Sequence, residues 1–268
     1  IESSFYRKLL LSLHFLIIPK PLNTFNSILN RCQAKAKMFA ILVDPDQYDA
    51  PKDLQELIYN LKLALPDIIL IGGSLINNGN FELVINELSS LKIAPVILFP
   101  GNNKQVSANA DAILLLSLIS GRNAEFLIGQ HVVSAFDIKN ANLEVIPTGY
   151  MLIESGPATS AQYMSNTQPI PYNKPDIAIA TALAGEQLGL KFIYMDGGSG
   201  AQTPISKEMI KGVRQTVNTP LIIGGGIRNK EQAITAWNSG ADIIVIGNAI
   251  EKNPILALEI SLLRTVNK

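Results

Sequence analysis

The residues of this chain that could do chemistry stand in short polar and glycine clusters, each closing an apolar run. Ile222-Ile223-Gly224-Gly225-Gly226-Ile227-Arg228 is one, and Asp242-Ile243-Ile244-Val245-Ile246-Gly247-Asn248 is its partner. Glycines at such ends let a phosphate approach bare backbone N–H groups, and a helix start just beyond adds a favourable dipole. Tyr194-Met195-Asp196-Gly197-Gly198-Ser199-Gly200 repeats the pattern and adds a carboxylate. Asp196, beside backbone that can hold a phosphate, could accept a proton from a substrate hydroxyl. An N-cap or an ion-pair role fits the spacing as well. Tyr194 could bond a substrate or fill a barrel interior. Asp44, before Pro45-Asp46, and Ser74, after Gly72-Gly73, form a second pair. Both are hard oxygen donors, suited to a Mg²⁺ that keeps several waters and also binds substrate phosphate. Asp44 could instead cap the turn before Pro45, and Asp46 reads as a helix cap.

Gathering these clusters takes a scaffold that brings strand ends to one rim. Apolar, β-branched runs of four to six residues bounded by turn residues read as strands buried on both faces. They are Phe39 to Asp44, Asp67 to Ile71, Ala94 to Phe99, Ala112 to Leu116, Thr148 to Ile153, Phe192 to Asp196 and the two glycine-closed runs above. The fifth, led in by Leu143 to Pro147, reads as kinked. Helical spacing fills Phe25 to Ala36, residues 52–65, Phe81 to Leu91, Glu125 to Ile138, Ile177 to Leu188, Ile205 to Val217, Asn229 to Gly240 and Pro254 to Leu263. Eight strands alternating with helices predict a (β/α)8 barrel, in which every cluster above lies on the catalytic face and the phosphate sits after strands 7 and 8. Only about eight residues part Pro100-Gly101-Asn102-Asn103 from the fourth strand, too few for a full crossover helix. The third unit is therefore truncated. Residues 155–176 read as an unstructured loop able to cover the site. His131 and Trp237 fall within helices and read as packing residues, Trp237 between helices or against another subunit. Arg228 could bind phosphate or face solvent.

Charge gives no reason for a nucleic-acid partner, because 22 basic residues balance 22 acidic ones. Cys32 is the single cysteine, which rules out an internal disulfide and a cysteine zinc site and fits a reducing, cytoplasmic setting. Arg7-Lys8 and the apolar stretch Leu9 to Ile18 have the look of a signal peptide. No small-residue cleavage site follows, however, and the stretch is too short to span a bilayer. Residues 1–21 are set apart as an N-terminal extension, and residues 22–268 form a single barrel domain.

The motifs Phe39-Ala40-Ile41-Leu42-Val43-Asp44-Pro45-Asp46, Gly72-Gly73-Ser74, Phe99-Pro100-Gly101-Asn102, Tyr150-Met151-Leu152-Ile153-Glu154, Tyr194 to Gly200, Gly224 to Arg228 and Gly247-Asn248 occur in an order and spacing that resembles the geranylgeranylglyceryl phosphate synthase family. That family includes the bacterial PcrB-type heptaprenylglyceryl phosphate synthases. The resemblance covers Leu22 to the C-terminus. It implies a modified TIM barrel with the third helix lost. It implies transfer of a prenyl group from geranylgeranyl diphosphate to the C3 hydroxyl of sn-glycerol 1-phosphate, with release of diphosphate. By position, Asp44 and Ser74 would bind Mg²⁺. Tyr194, Met195, Asp196, Gly197, Gly198, Ser199, Gly200, Gly225, Gly226, Gly247 and Asn248 would bind glycerol phosphate, with Asp196 and Tyr194 catalytic.

Asp196 stands where the family usually has Glu. Leu42 stands where PcrB-type enzymes have Lys, which points to a second group found in some archaea and in Bacteroidetes-type bacteria. The family also implies a homodimer or homohexamer and transient membrane contact through the lipid product. The prenyl chain needs an apolar trough, each buried CH₂ contributing about 0.8 kcal/mol; a barrel missing its third helix offers one between the outer helices, and Leu and Ile from the second (Phe81 to Leu91) to the fourth (Glu125 to Ile138) are expected to line it. The competing readings are the same transfer with a heptaprenyl donor, a phosphosugar isomerase or aldolase, and a non-catalytic barrel that binds a phosphorylated ligand. No lysine at a strand end supports a Schiff-base aldolase.

Overall fold

The computed structural model describes residues 23–76, 80–247 and 253–265. Residues 1–21 and Asn248 lie outside them. Eight parallel strands follow one another around a closed barrel, with the last pairing to the first. They are β1 (Met38–Val43), β2 (Ile68–Ile71), β3 (Val96–Leu98), β4 (Ala112–Leu118), β5 (Glu144–Leu152), β6 (Phe192–Asp196), β7 (Leu221–Gly224) and β8 (Ile243–Ile246). The helices are α1 (Thr24–Gln33), α2 (Gln55–Ala64), α3 (Phe81–Ser90), α4 (Gln130–Asn140), α5 (Ser160–Ser165), α6 (Pro175–Gln187), α7 (Lys207–Thr216), α8 (Lys230–Ser239) and α9 (Pro254–Thr265).

Strand periodicity divides the core in two. Alternate residues such as Met38, Ala40, Leu70, Ile97, Leu114, Phe192 and Tyr194 fill the barrel. Their neighbours Phe39, Ile41, Ile69, Ile71, Ile193 and Met195 pack outward against the helices. Each strand is buried on both faces, which is why each reads as a continuous apolar run.

Between β3 and β4, residues 99–111 run through turns without a helix, as the short spacing required. Two expectations need correction. The fifth strand begins at Glu144, within the stretch expected only to lead into it: Glu144 to Tyr150 pair with Ala112 to Leu118 in unbroken register. Pro147 is tolerated because its missing N–H falls on the β6 side below that strand's first residue, where only the Pro147 carbonyl is used, accepting from Lys191 N at 2.7 Å. The loop at 155–176 is not structureless, since it holds α5, capped by Thr159. It is pinned by a bridge between Ile153 and Ile170 and by the Ser155 carbonyl, which accepts from Gln202 N at 2.9 Å.

The amino ends of the strands carry structure rather than chemistry. The backbone N–H groups of Thr24 and Phe25 donate to the Glu144 carboxylate at 2.8 and 3.0 Å, and the Phe25 ring meets Phe192. Asp67 accepts from Phe39 N at 2.8 Å and pairs with Arg31 and Arg264. Trp237 is 5% exposed and its Nε1 donates to the Met38 carbonyl at 3.0 Å, a packing role within the chain. Burial pushes the Cys32 thiol up to about 12, so it stays protonated.

Candidate active site

Asp196 ends β6 on its inner face, in line with Phe192 and Tyr194. The residue is 7% exposed. Tyr150 Oη donates to Oδ2 at 2.6 Å, and Gly198 N donates to Oδ1 at 2.8 Å. Burial pushes its pKa up, and these two bonds, which favour the charged form, pull against that shift. No helix starts there and, among the described residues, no cation pairs with it. The Tyr150 phenol is held protonated by burial first and by the Asp196 charge second, so it remains a donor. Tyr150 was not singled out by the sequence as a site residue; its parity on β5, the same inward face as Leu152, was the available signal.

Phe99, Tyr150 and Tyr194 meet in mutual ring contact, with centroids 5.3 to 5.7 Å apart. This trio divides two cavities. One is a glycine-rich cup lined by Tyr194, Asp196, Gly198, Ser199, Gly200, Gly225, Gly226, Arg228 and Gly247, together with Leu42 and Val245. Asn253, just before α9, also faces it and was missed because it carries no motif.

Two predicted residues stand apart. The Met195 side chain points outward into the helix layer, so only its main chain can serve the cup. Gly197 lies behind the cup wall, donating to the Gly224 carbonyl at 3.0 Å and accepting from Ser155 Oγ at 2.5 Å. Arg228 is exposed at the cup's edge and donates to the Ala201 carbonyl, so it ties two glycine turns together.

Gly225 has φ +82°, and a Cβ there would lie 2.7 Å from Gly197 N. Gly226, at φ +75°, would strike the Pro204 backbone at 2.8 Å. Close backbone approach is what lets main-chain N–H groups line the cup. Gly225→Ala is accordingly expected to lose about 1–3 kcal/mol of stability to strain, measured by urea unfolding, and to weaken binding of a phosphomonoester in the cup.

Asp44 follows β1, and its Oδ1 accepts from Asp46 N at 3.1 Å, capping the turn at Pro45–Gln47. The capping residue is thus Asp44, correcting the expectation for Asp46. Half-buried, Asp44 is pushed up chiefly by desolvation, and no described cation offsets this. Gly73 packs on its carboxylate: a Cβ there would be 3.2 Å from Oδ1. Ser74 follows on the neighbouring turn. Among the described residues no three acidic, His or Cys side chains cluster; the oxygen donors are the Asp44 carboxylate, which the nearby Asp46 charge also pushes up, and the Ser74 hydroxyl. That set fits Mg²⁺, which keeps water and substrate oxygens as its other ligands.

The second cavity is an apolar trough, open along one side. It starts at Gly73 and Ser74 and passes Phe99 and Tyr150. It then runs between β4, through Ile113 and Leu115, and α4, through His131, Ser134 and Ile138. Of the helices expected to line it, Glu125 to Ile138 does and Phe81 to Leu91 does not. Absence of a helix after β3 opens the space beside β4, and residues 99–106 wall it. His131 contacts the Leu116 carbonyl through Nε2 at 2.8 Å, a satisfied position in the trough wall.

Residues 32–266 match the model of the PcrB family. A relative from Chitinophaga pinensis named geranylgeranylglyceryl phosphate synthase is 49% identical over 88% of this chain and 94% of its own. One of the same name from Thermococcus gammatolerans is 41% identical over 81% and 86%. The solved (S)-3-O-geranylgeranylglyceryl phosphate synthase of Thermoplasma acidophilum, in complex with its substrate sn-glycerol-1-phosphate, is 27% identical. It superposes with a TM-score of 0.83 over 89% of this chain and 96% of its own. With a family match across nearly all of the barrel and these relatives sharing it, the chain belongs to the PcrB family.

Proposed function

We propose that this protein joins a prenyl group, geranylgeranyl in particular, from its diphosphate to the C3 hydroxyl of sn-glycerol 1-phosphate. The observation that carries this reading is the meeting of a glycine-walled cup and an apolar trough at the Asp196–Tyr150 pair. The cup suits a small phosphomonoester and the trough a long hydrocarbon. The named relatives act as support.

The chain's own residues supply the following. Gly225, Gly226 and Gly247 present backbone to the acceptor's phosphate. Asp196 takes the proton of the attacking hydroxyl at Oδ1 or Oδ2, while Tyr150 fixes the carboxylate's orientation. Phe99, Tyr150 and Tyr194 keep water from the junction where the allylic carbon would sit. Asp44 and Ser74 would hold Mg²⁺, which when bound stabilises charge on the departing diphosphate. The protein would act as a homodimer or homohexamer in the cytoplasm. Among the described residues no helix is long and apolar enough to cross a membrane.

The test is incubation of purified protein with labelled sn-glycerol 1-phosphate, geranylgeranyl diphosphate and Mg²⁺. Label is expected in the lipid extract, and its absence with geranylgeranyl and heptaprenyl donors alike would sink the reading.

A further inference from the structure

Gln105 lies in the connection that replaces a helix between β3 and β4. It is 3% exposed, and both ends of its amide are used on main chain. Oε1 accepts from Gly101 N at 3.0 Å, and Nε2 donates to the Gly73 carbonyl at 2.9 Å. The two turns it joins are in backbone contact. A Cβ on Gly101 would lie 2.2 Å from the Gly73 oxygen, and one on Gly72 would lie 1.9 Å from the Phe99 oxygen. The strand ladder has ended by this point, its last bonds being Gly72 N to the Val43 carbonyl and Phe99 N to the Ile71 carbonyl. Past the ladder, a helix would ordinarily brace such a turn, and none follows β3.

From this geometry we infer that Gln105 is a positioning residue for the diphosphate end of the donor site. The Gly73 carbonyl belongs to the peptide that leads into Ser74. In a planar trans peptide the carbonyl and the next N–H point opposite ways. Holding the Gly73 carbonyl towards Gln105 therefore turns the Ser74 N–H to the other side and fixes where the Ser74 side chain departs. The same amide, through Gly101, fixes the segment that walls the mouth of the trough. One buried side chain thus sets the head of the donor site and its hydrocarbon entrance in register. The inference rests on the functional reading above.

The experiment measures calorimetric binding of two probes, inorganic diphosphate with Mg²⁺ and sn-glycerol 1-phosphate, to wild type, Gln105→Leu and Gln105→Glu. Gln105→Leu removes both bonds, and Gln105→Glu keeps the acceptor for Gly101 but sets a carboxylate against the Gly73 oxygen. Both variants are expected to bind diphosphate about tenfold more weakly, each lost or repulsive polar contact being of that order. Glycerol phosphate binding stays within about twofold, which also reports a folded barrel. In turnover, KM for the prenyl diphosphate rises while KM for glycerol phosphate holds. Equal weakening of both probes, or no weakening of either, overturns the positioning role of Gln105. A wild type that binds glycerol phosphate and not diphosphate overturns the functional reading itself, and the inference with it.

Discussion

Asp196→Asn is expected to lower kcat by about 10²- to 10⁴-fold, the range of a general base. KM for glycerol phosphate should change little, because on the proposed reading the phosphate is held by backbone at Gly225 and Gly226 rather than by this side chain. Asn keeps the size of the side chain and can still accept from Gly198 N, so a loss of that size isolates the proton transfer. The pH profile sharpens the test. Burial raises the pKa of Asp196, so the acid limb of kcat/KM should lie above the ordinary aspartate range. Tyr150→Phe removes a bond that favours the charged carboxylate and should move that limb higher still.

Stability follows with the opposite sign. A raised folded pKa means the native state holds its proton more tightly than the unfolded chain, so ionisation costs stability as pH rises through that window. Asp196→Asn should therefore resist urea better than wild type at neutral pH. The advantage should shrink as pH falls below the folded pKa and vanish below the unfolded one. A variant both inactive and equally stable at every pH would show that the carboxylate is not held in this state.

Asp44→Asn is expected to cost about 10²-fold or more in kcat/KM at limiting Mg²⁺, since metal stabilisation of a leaving group is worth several kcal/mol. The independent readout is binding: calorimetric titration with Mg²⁺ and inorganic diphosphate should show the affinity lost while glycerol phosphate still binds the cup. The half-buried carboxylate has no described cation to compensate it, so the same substitution should not destabilise the fold in the absence of metal. Chelation of wild type with EDTA should abolish turnover, and adding Mg²⁺ should restore it. Full activity in EDTA would mean that Asp44 and Ser74 hold no metal that the reaction needs.

Much of this was legible because barrel strands, buried on both faces, write themselves as apolar runs, and their carboxyl ends announce themselves with Asp44, Ser74, Asp196 and the glycines. Even the missing helix could be counted from the residues between Asn103 and Ala112. Less was visible where tertiary contact decides. Tyr150 and Asp196 lie on different strands, and only the β5–β6 register, which sets Leu152 opposite Asp196, brings the phenol under the carboxylate. Met195 sat inside a site motif, yet period-2 parity sends its side chain the other way. Gln105 lies in a turn with no motif, and its two backbone partners come from segments 4 and 32 residues away. The trough was expected in the gap left by the missing third helix and lies there; of the helices expected to line it α4 does and α3 does not, and β4 forms the facing wall.

The place of Trp237 has a spectroscopic consequence. It is the chain's only tryptophan, sealed at the amino end of β1 against the Met38 carbonyl, with the Lys37 ammonium 5.9 Å from its ring centroid. Every group assigned to substrate lies at the opposite end of the strands. Its emission is thus a private gauge of the barrel's base, rising or quenching with global unfolding and indifferent to what fills the cup or trough. Tyr150, lining the trough, and Tyr194, lining the cup, are the aromatic groups expected to respond to ligand instead.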